Sequence, residues 1–292
     1  MSVRERDPLT GHETTGHEWD GITELNTRVP RSIWWAVGIS HVWALVYWVL
    51  MPAWPMVTTY TKGILGYDDQ VRVERQVAAA DLQRAAWTEA LATQPAGAIR
   101  EDAALMAHVG RTAPALWGDT CAGCHGAAAE GGPGFPSLVD EAWLWGGDAE
   151  TIMETLRVGI NAPHPETRVS QMLAFGTLEI LSRPQIRTVV DYVQSLSGIE
   201  AEAAPEALAE GETIFLENCA SCHGEDGTGL QAVGAPNLVD GFWIYGGDDA
   251  AMFDTIDRGR QGWMPAWEDR LTVADRMALT LYVQDLGRGA AR

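Results

Sequence analysis

The motif Cys-x-x-Cys-His occurs twice, as Cys121-Ala-Gly-Cys124-His125 and Cys219-Ala-Ser-Cys222-His223, and uses every cysteine in the chain. Each copy belongs to a longer match. Pro136-Ser-Leu-Val-Asp140 lies on Pro236-Asn-Leu-Val-Asp240, and Trp145-Gly-Gly-Asp148 on Tyr245-Gly-Gly-Asp248. Gly159 answers Gly259, and Asp191-Tyr-Val-Gln-Ser-Leu196 answers Leu281-Tyr-Val-Gln-Asp-Leu286. A module of about 85 to 95 residues is therefore duplicated, which restricts the chain to folds that can be built twice over. A disulfide framework would scatter its cysteines between distant segments, so paired cysteines with an adjacent histidine read as cofactor attachment.

At this spacing two thiols add to the two vinyl groups of one haem, while the next residue brings an imidazole to its iron from the same loop. The expected cofactors are two covalently bound haem c groups, held by Cys121, Cys124, Cys219 and Cys222, with His125 and His223 as proximal ligands. A shared zinc site is disfavoured because the pairs occupy equivalent positions of two repeats. A thioredoxin-like redox pair would need a βαβ context, and none is visible.

The second axial ligand decides whether an iron carries electrons or binds substrate, and thioether sulfur opposite imidazole suits electron transfer. In the second module Met264, within Gly262-Trp-Met-Pro-Ala-Trp267, follows His223 by 41 residues and is the expected ligand. In the first module Met172, within Gln171-Met-Leu-Ala-Phe175, matches Met264 by local motif. Gapless alignment from Gly159 and Gly259 instead lays His164-Pro165 on Met264-Pro265, so His164 stands as the alternative. Met106, Met153, Met252 and Met277 read as core fillers among apolar neighbours. Asp140, Asp240, Asp148 and Asp248 recur in both copies and read as caps, not as catalytic carboxylates.

From Ile33 to Met56 no residue is charged, and the 19 residues from Ile33 to Met51 would span about 28 Å as a helix. Trp34, Trp35 and Trp54 sit at its two ends, where amphipathic rings favour the headgroup layer. About 30 polar residues precede this stretch, which argues for an uncleaved anchor and against a signal peptide. Arg28 and Arg31 before it and only Lys62 soon after it place the N-terminus in the cytoplasm. His41, inside the span, should be neutral and hydrogen-bonded, holding the anchor against another membrane subunit.

Six segments follow. They are an N-terminal segment 1–31, an anchor 32–56, a helical connector 57–102, a first haem domain 103–197, a linker 198–208 and a second haem domain 209–292. Ser182 with Pro184, and Thr272 with Asp275, open the final helix of each copy. Ile186, Val189, Val190, Val193 and Leu196 then recur at helical spacing. Residues 68–109 read as two helices broken at Pro95-Ala-Gly97, and the charged run from Glu200 to Glu210 as solvated linker. The formal net charge of -20, carried mostly after the anchor, excludes nucleic acid as a partner and favours a basic protein.

The chain resembles the dihaem subunit of the cbb-type (C-family) haem-copper cytochrome c oxidases over nearly its whole length. The resemblance rests on Glu18-Trp-Asp-Gly-Ile22 and Pro30-Arg-Ser-Ile-Trp-Trp35 before the anchor, Pro52-Ala-Trp-Pro55 and Gly63-Ile-Leu-Gly-Tyr67 after it, and the two haem modules. It implies an all-α fold of one N-terminal transmembrane helix followed by two tandem class I cytochrome c domains. It also implies a single-pass protein of the bacterial inner membrane with periplasmic haem domains. Such a subunit accepts electrons from a soluble or membrane-bound cytochrome c. It relays them through a single-haem cytochrome c subunit to the catalytic subunit, which reduces oxygen to water and pumps protons. The chain is then no enzyme by itself. The competing readings are a dihaem peroxidase or dehydrogenase, the electron-transfer subunit of another respiratory complex, and a gas sensor or assembly factor. The enzyme and sensor readings need an open iron, whereas both modules supply a distal ligand.

Overall fold

A computed structural model describes residues 5–199 and 203–290, so Glu200 to Glu202 of the charged linker lie outside the described residues. The chain divides into two compact units, Met1–Leu82 and Gln83–Arg292.

The first unit opens with an antiparallel hairpin, β1 (Thr14–Trp19) and β2 (Ile22–Leu25), with Trp19 opposite Ile22. Asp20 and Gly21 connect them at φ 49° and 85°, the paired left-handed residues of a tight turn that follows strand twist. The sequence reading, built on helical periods, did not anticipate these strands. Helix α1 (Arg31–Leu50) has no buried residue within the chain, and its 20 residues span about 30 Å, enough to cross a bilayer. It ends one residue before Met51, inside the anchor segment 32–56, and the following loop turns back to satisfy its end. Ile64 and Leu65 donate to the Val49 and Leu50 carbonyls at 3.0 and 3.1 Å. Gly63, at φ +68°, lies too close to the Leu50 and Met51 backbone for any side chain. His41 bonds the Val37 carbonyl of its own helix through Nδ1 at 2.7 Å, so α1 itself supplies an acceptor.

Among the described residues, eight of the ten α-helices that follow fall into two parallel sets. The connector yields α2 (Asp69–Thr93) and α3 (Ala96–Glu101). The first repeat yields α4 (Ala103–Thr120), α5 (Ala122–His125), α6 (Ala149–Val158) and α7 (Arg183–Leu196). The second yields α8 (Pro205–Asn218), α9 (Ala220–His223), α10 (Asp249–Arg258) and α11 (Val273–Ala290). α8 begins inside the segment read as linker, because Pro205 has the backbone angle that the first helical turn needs. The recurrent aspartates act as the repeat suggests. Asp148 and Asp248 accept from the Thr151 and Ala251 amides at the starts of α6 and α10, and Asp140 and Asp240 close turns on Ala142 and Phe242. α7 starts with a reciprocal cap between Ser182 and Gln185, and α11 with Thr272 and Asp275.

Packing does not follow the sequence repeat. α7, the last helix of the first copy, packs on α8 and α10 of the second, while α11 packs on α4 and α6 of the first. One core joins Phe175, Ile186, Val190 and Val193 to Ile214, Phe215 and Ile256. Another joins Trp117, Ile152 and Leu156 to Trp267, Leu271, Leu279 and Val283. A third seats Leu91, Ile99, Leu105 and Val109 on Ala274, Ala278 and Leu281, so the connector helices brace α4 and α11. Each fully buried Leu, Ile or Phe contributes on the order of 2 kcal/mol, so both final helices are held by the other repeat and not by their own.

Candidate functional site

α4 and α8 each run straight into a motif. The backbone turns after Cys121 and Cys219, and the short helices α5 and α9 end at Gly126 and Gly224, φ +84° and +79°. His125 and His223 donate Nδ1–H to the carbonyls of Pro136 and Pro236 at 2.9 and 3.0 Å. A carbonyl only accepts, so the proton sits on Nδ1 and the Nε2 lone pair of each ring is free for a metal. Burial lowers both imidazole pKa values, which keeps the rings in the neutral form that ligation requires. The four thiols are unpaired, with Cys124 and Cys222 exposed, Cys121 half-buried and Cys219 buried. Burial also pushes the Cys219 thiol up to about 11.

The loops that follow the motifs face one cavity of about 830 Å³, lined by equivalent residues from both copies: Pro136 and Pro236, Trp143 and Trp243, Leu144 and Ile244. The two loops are also tied across the copies. Gly134 donates to the Ile244 carbonyl at 2.9 Å, and Gln231 to the Trp143 carbonyl at 3.1 Å. Behind each loop an arginine stacks on an aromatic ring, Arg168 over Trp145 at 4.8 Å and Arg260 over Tyr245 at 4.7 Å. Trp145 Nε1 and Arg168 Nε are buried donors without a protein acceptor. Two thiols and an imidazole with a free nitrogen beside a shared cavity form a donor set that fits haem c in each half, and the first half adds two spare donors suited to acidic side groups. Among the described residues no cluster of three His, Cys, Asp or Glu could hold a separate metal ion.

The methionine loops are crossed. Met264 exchanges two backbone hydrogen bonds with Ile160 of the first copy, both at 2.9 Å. Met172 makes the same pair with Arg260 of the second copy, at 2.8 and 3.1 Å. Gly159 and Gly259, φ +67° and +71°, admit these strands, since a Cβ on either would lie 2.5 Å from the Met264 or Met172 carbonyl oxygen. Met264 packs against the core that contains Trp117 and that Cys121 and Ala122 also pack against, whereas Met172 packs against the core that contains Phe215 and Cys219. The sequence reading had grouped Met264 with His223 and Met172 with the first motif. The packing groups each methionine with the other copy's cysteines, because each methionine loop travels with the final helix that follows it.

His164 is engaged elsewhere. Its Nε2 lies 2.8 Å from Glu268 Oε2 and its Nδ1 accepts from the Glu166 amide at 3.1 Å, leaving neither nitrogen spare. Met172, not His164, is the structural counterpart of Met264. Met252 lies in the core beneath α7, and Met106 and Met277 pack against the separate core that joins the connector helices to α4 and α11. The prolines that orient the histidines were visible as a repeated Pro-x-Leu-Val-Asp, although their role was not read from it. Arg168 and Arg260 carry no sequence signal, since they occupy non-equivalent positions of the repeat.

An apolar helix long enough to span a bilayer and two repeated Cys-x-x-Cys-His sites in a helical scaffold define a membrane-anchored c-type cytochrome. The comparisons with known proteins make the class particular. Residues 11–58 match the N-terminal domain of cytochrome oxidase-cbb3, FixP, residues 112–197 match cytochrome c, and residues 206–283 match cytochrome c oxidase, cbb3-type, subunit III. The chain is 44% identical over 287 residues to a cbb3-type cytochrome c oxidase subunit FixP of Bradyrhizobium diazoefficiens, covering 98% of each chain. It is 42% identical over 291 residues to the subunit CcoP of Cereibacter sphaeroides, covering 99% of this chain and 100% of that one. The chain belongs to the FixP/CcoP family of cbb3-type cytochrome c oxidase subunits and is an electron-transfer component of such an oxidase.

Proposed function

We propose that the chain carries two haem c groups, one on Cys121 and Cys124 and one on Cys219 and Cys222, and passes electrons between them toward the oxygen-reducing centre of the complex. When bound, each haem supplies a one-electron iron couple. His125 and His223, oriented by the Pro136 and Pro236 carbonyls, would ligate the irons through Nε2, and Met172 and Met264 would supply a second protein ligand to each. The pairing that the packing supports is crosswise, Met264 with His125 and Met172 with His223. The observation that carries the reading is the twofold equivalence of the sites, down to the Nδ1 bonds and the methionine backbone pairs. With a histidine and a methionine available to each haem, neither site would keep a position for substrate, which supports an electron relay that leaves the chemistry to the catalytic haem-copper subunit.

Loops of both sites open on one cavity, which supports a short path between the two haems. A single-haem cytochrome c subunit receives the electrons next, and the donor is a basic cytochrome c drawn to a chain of net charge -20. Arg28 and Arg31 before α1 favour a cytoplasmic N-terminus, which puts the haem sites on the periplasmic side of the bacterial inner membrane.

Near-infrared magnetic circular dichroism of the purified oxidised chain tests the ligands. Two histidine–methionine signals are expected, one lost in Met172→Leu, one lost in Met264→Leu and both retained in His164→Ala. A bis-histidine signal abolished by His164→Ala would overturn the assignment of Met172.

A further inference from the structure

α7 and α11 begin in the same register. Ser182 with Gln185 and Thr272 with Asp275 occupy matching cap positions, preceded by the buried Leu181 and Leu271. Four residues into each helix the two halves part. α7 carries Ile186, fully buried in an apolar core, and α11 carries Arg276, only 6% exposed. Arginine stays protonated at any pH a protein meets, so this half holds a fixed positive charge where the other holds a hydrocarbon.

Two observations give Arg276 a direction. Its Nη1 donates to the Leu271 carbonyl at 2.9 Å and to the Glu268 carbonyl at 3.3 Å, fastening the turn that follows Met264. Its Nε is buried without a partner, and among the described residues no carboxylate forms an ion pair with it. Of the three described acidic residues that share its cavity, Glu154 holds Arg157 at 2.8 Å and Asp148 caps α6, and Glu150 in the first turn of α6 forms no ion pair with it. A cation left without a carboxylate acts through low-dielectric protein, where its field is far stronger than in water. It favours the iron state with one positive charge fewer, the ferrous state.

We propose that Arg276 positions the Met264 loop and raises the reduction potential of the haem that takes Met264, so that the two haems are tuned unequally. The inference rests on the ligand reading above, and the two fail separately: a wrong ligand changes the type of magnetic circular dichroism signal, and a wrong charge role leaves the potentials alone. The test is a potentiometric titration of the full-length chain beside Arg276→Met and Arg276→Lys, with dichroism recorded on each. Arg276→Met is expected to keep both histidine–methionine signals and to lower one midpoint potential while the other stays, and Arg276→Lys to restore the lowered midpoint. Unmoved midpoints, or two that move equally, with both signals intact, would overturn the proposal. Should Arg276→Met cost the methionine ligand itself, Arg276→Gln is set against Arg276→Lys. The charge role requires the lower midpoint in the glutamine variant, and equal midpoints sink it.

Discussion

The half built around His125 and the half built around His223 share one plan and differ in what fills it. In the first, α4 and α6 are closed by α11; in the second, α8 and α10 are closed by α7. Trp117 in the first half answers Phe215 in the second, and it adds a donor, its Nε1 bonding the Gly126 carbonyl at 3.1 Å. Pro265 follows one methionine and Leu173 the other, and the loop from Met172 to Ser182 is longer than that from Met264 to Thr272. Gly211 lies where α8 meets α7, and Ala113 where α4 meets α11. The difference teaches that duplication conserved the route of the backbone around each site, while exchange of the final helices made each site a product of both copies. On the crosswise pairing proposed above, neither sequence copy is a self-sufficient cytochrome.

The sharpest way to break this comparison is to leave the chain only one haem. With Cys219 and Cys222 both changed to Ala, only the first motif retains thiols for attachment. Crosswise ligation expects Met264→Leu to abolish the remaining histidine–methionine signal and Met172→Leu to leave it. The opposite result, read by the same near-infrared dichroism, would return each methionine to its own copy. No larger effect is expected from any single side chain, because ligand loss changes the iron's coordination outright.

A smaller effect separates the helix pairs. A Cβ on Gly211 would lie 2.5 Å from the Thr188 carbonyl oxygen and 2.7 Å from Tyr192 Cβ, so α8 reaches α7 only because this position has no side chain. Gly211→Ala is expected to destabilise the protein by about 1–3 kcal/mol despite alanine's better helix propensity. Denaturant unfolding of the haem-loaded chain measures it, and a gain in stability would mean that α7 is not held there. Ala113→Gly, the mirrored change, should cost about 1 kcal/mol through propensity and about as much again for the buried methyl that it removes.

Much of this was legible in the sequence because covalent attachment fixes residue spacing. The motifs Cys121 to His125 and Cys219 to His223 stand at matching ends of α4 and α8, and the apolar run after Arg31 gave α1 within a few residues of its end. The exchange was not legible. Ile186, Val189, Val190 and Val193 show which face of α7 is apolar, yet periodicity says nothing about which of two homologous surfaces covers that face. Arg276 left a trace that only alignment of the copies exposes, a charge at the position where Ile186 begins the apolar stripe. The hairpin turn Asp20-Gly21 was a readable signal, outweighed by the helical pattern of everything after it.

The least effect is expected at the contact between the exchanged segments. His164 of the first copy donates Nε2–H to Glu268 of the second at 2.8 Å, and Arg157 lies 3.5 Å from the same carboxylate. The His164 bond, more than Arg157, holds the Glu268 carboxyl below its ordinary value of 4.5. A carboxyl whose folded-state pKa is depressed stabilises the fold at pH values above its unfolded pKa. That contribution is lost as pH falls through the lower, folded-state value. Glu268→Gln should therefore lower the melting temperature slightly at pH 7 and close the gap to the unaltered chain as acidification passes below the ordinary value of 4.5 and through the depressed folded-state value. Because Glu268 faces solvent, the whole difference should be small and should shrink in salt. A gap that persisted unchanged into acid would show that the carboxylate adds nothing by its charge, and that the neutral geometry of the loop alone holds the two copies together at this point.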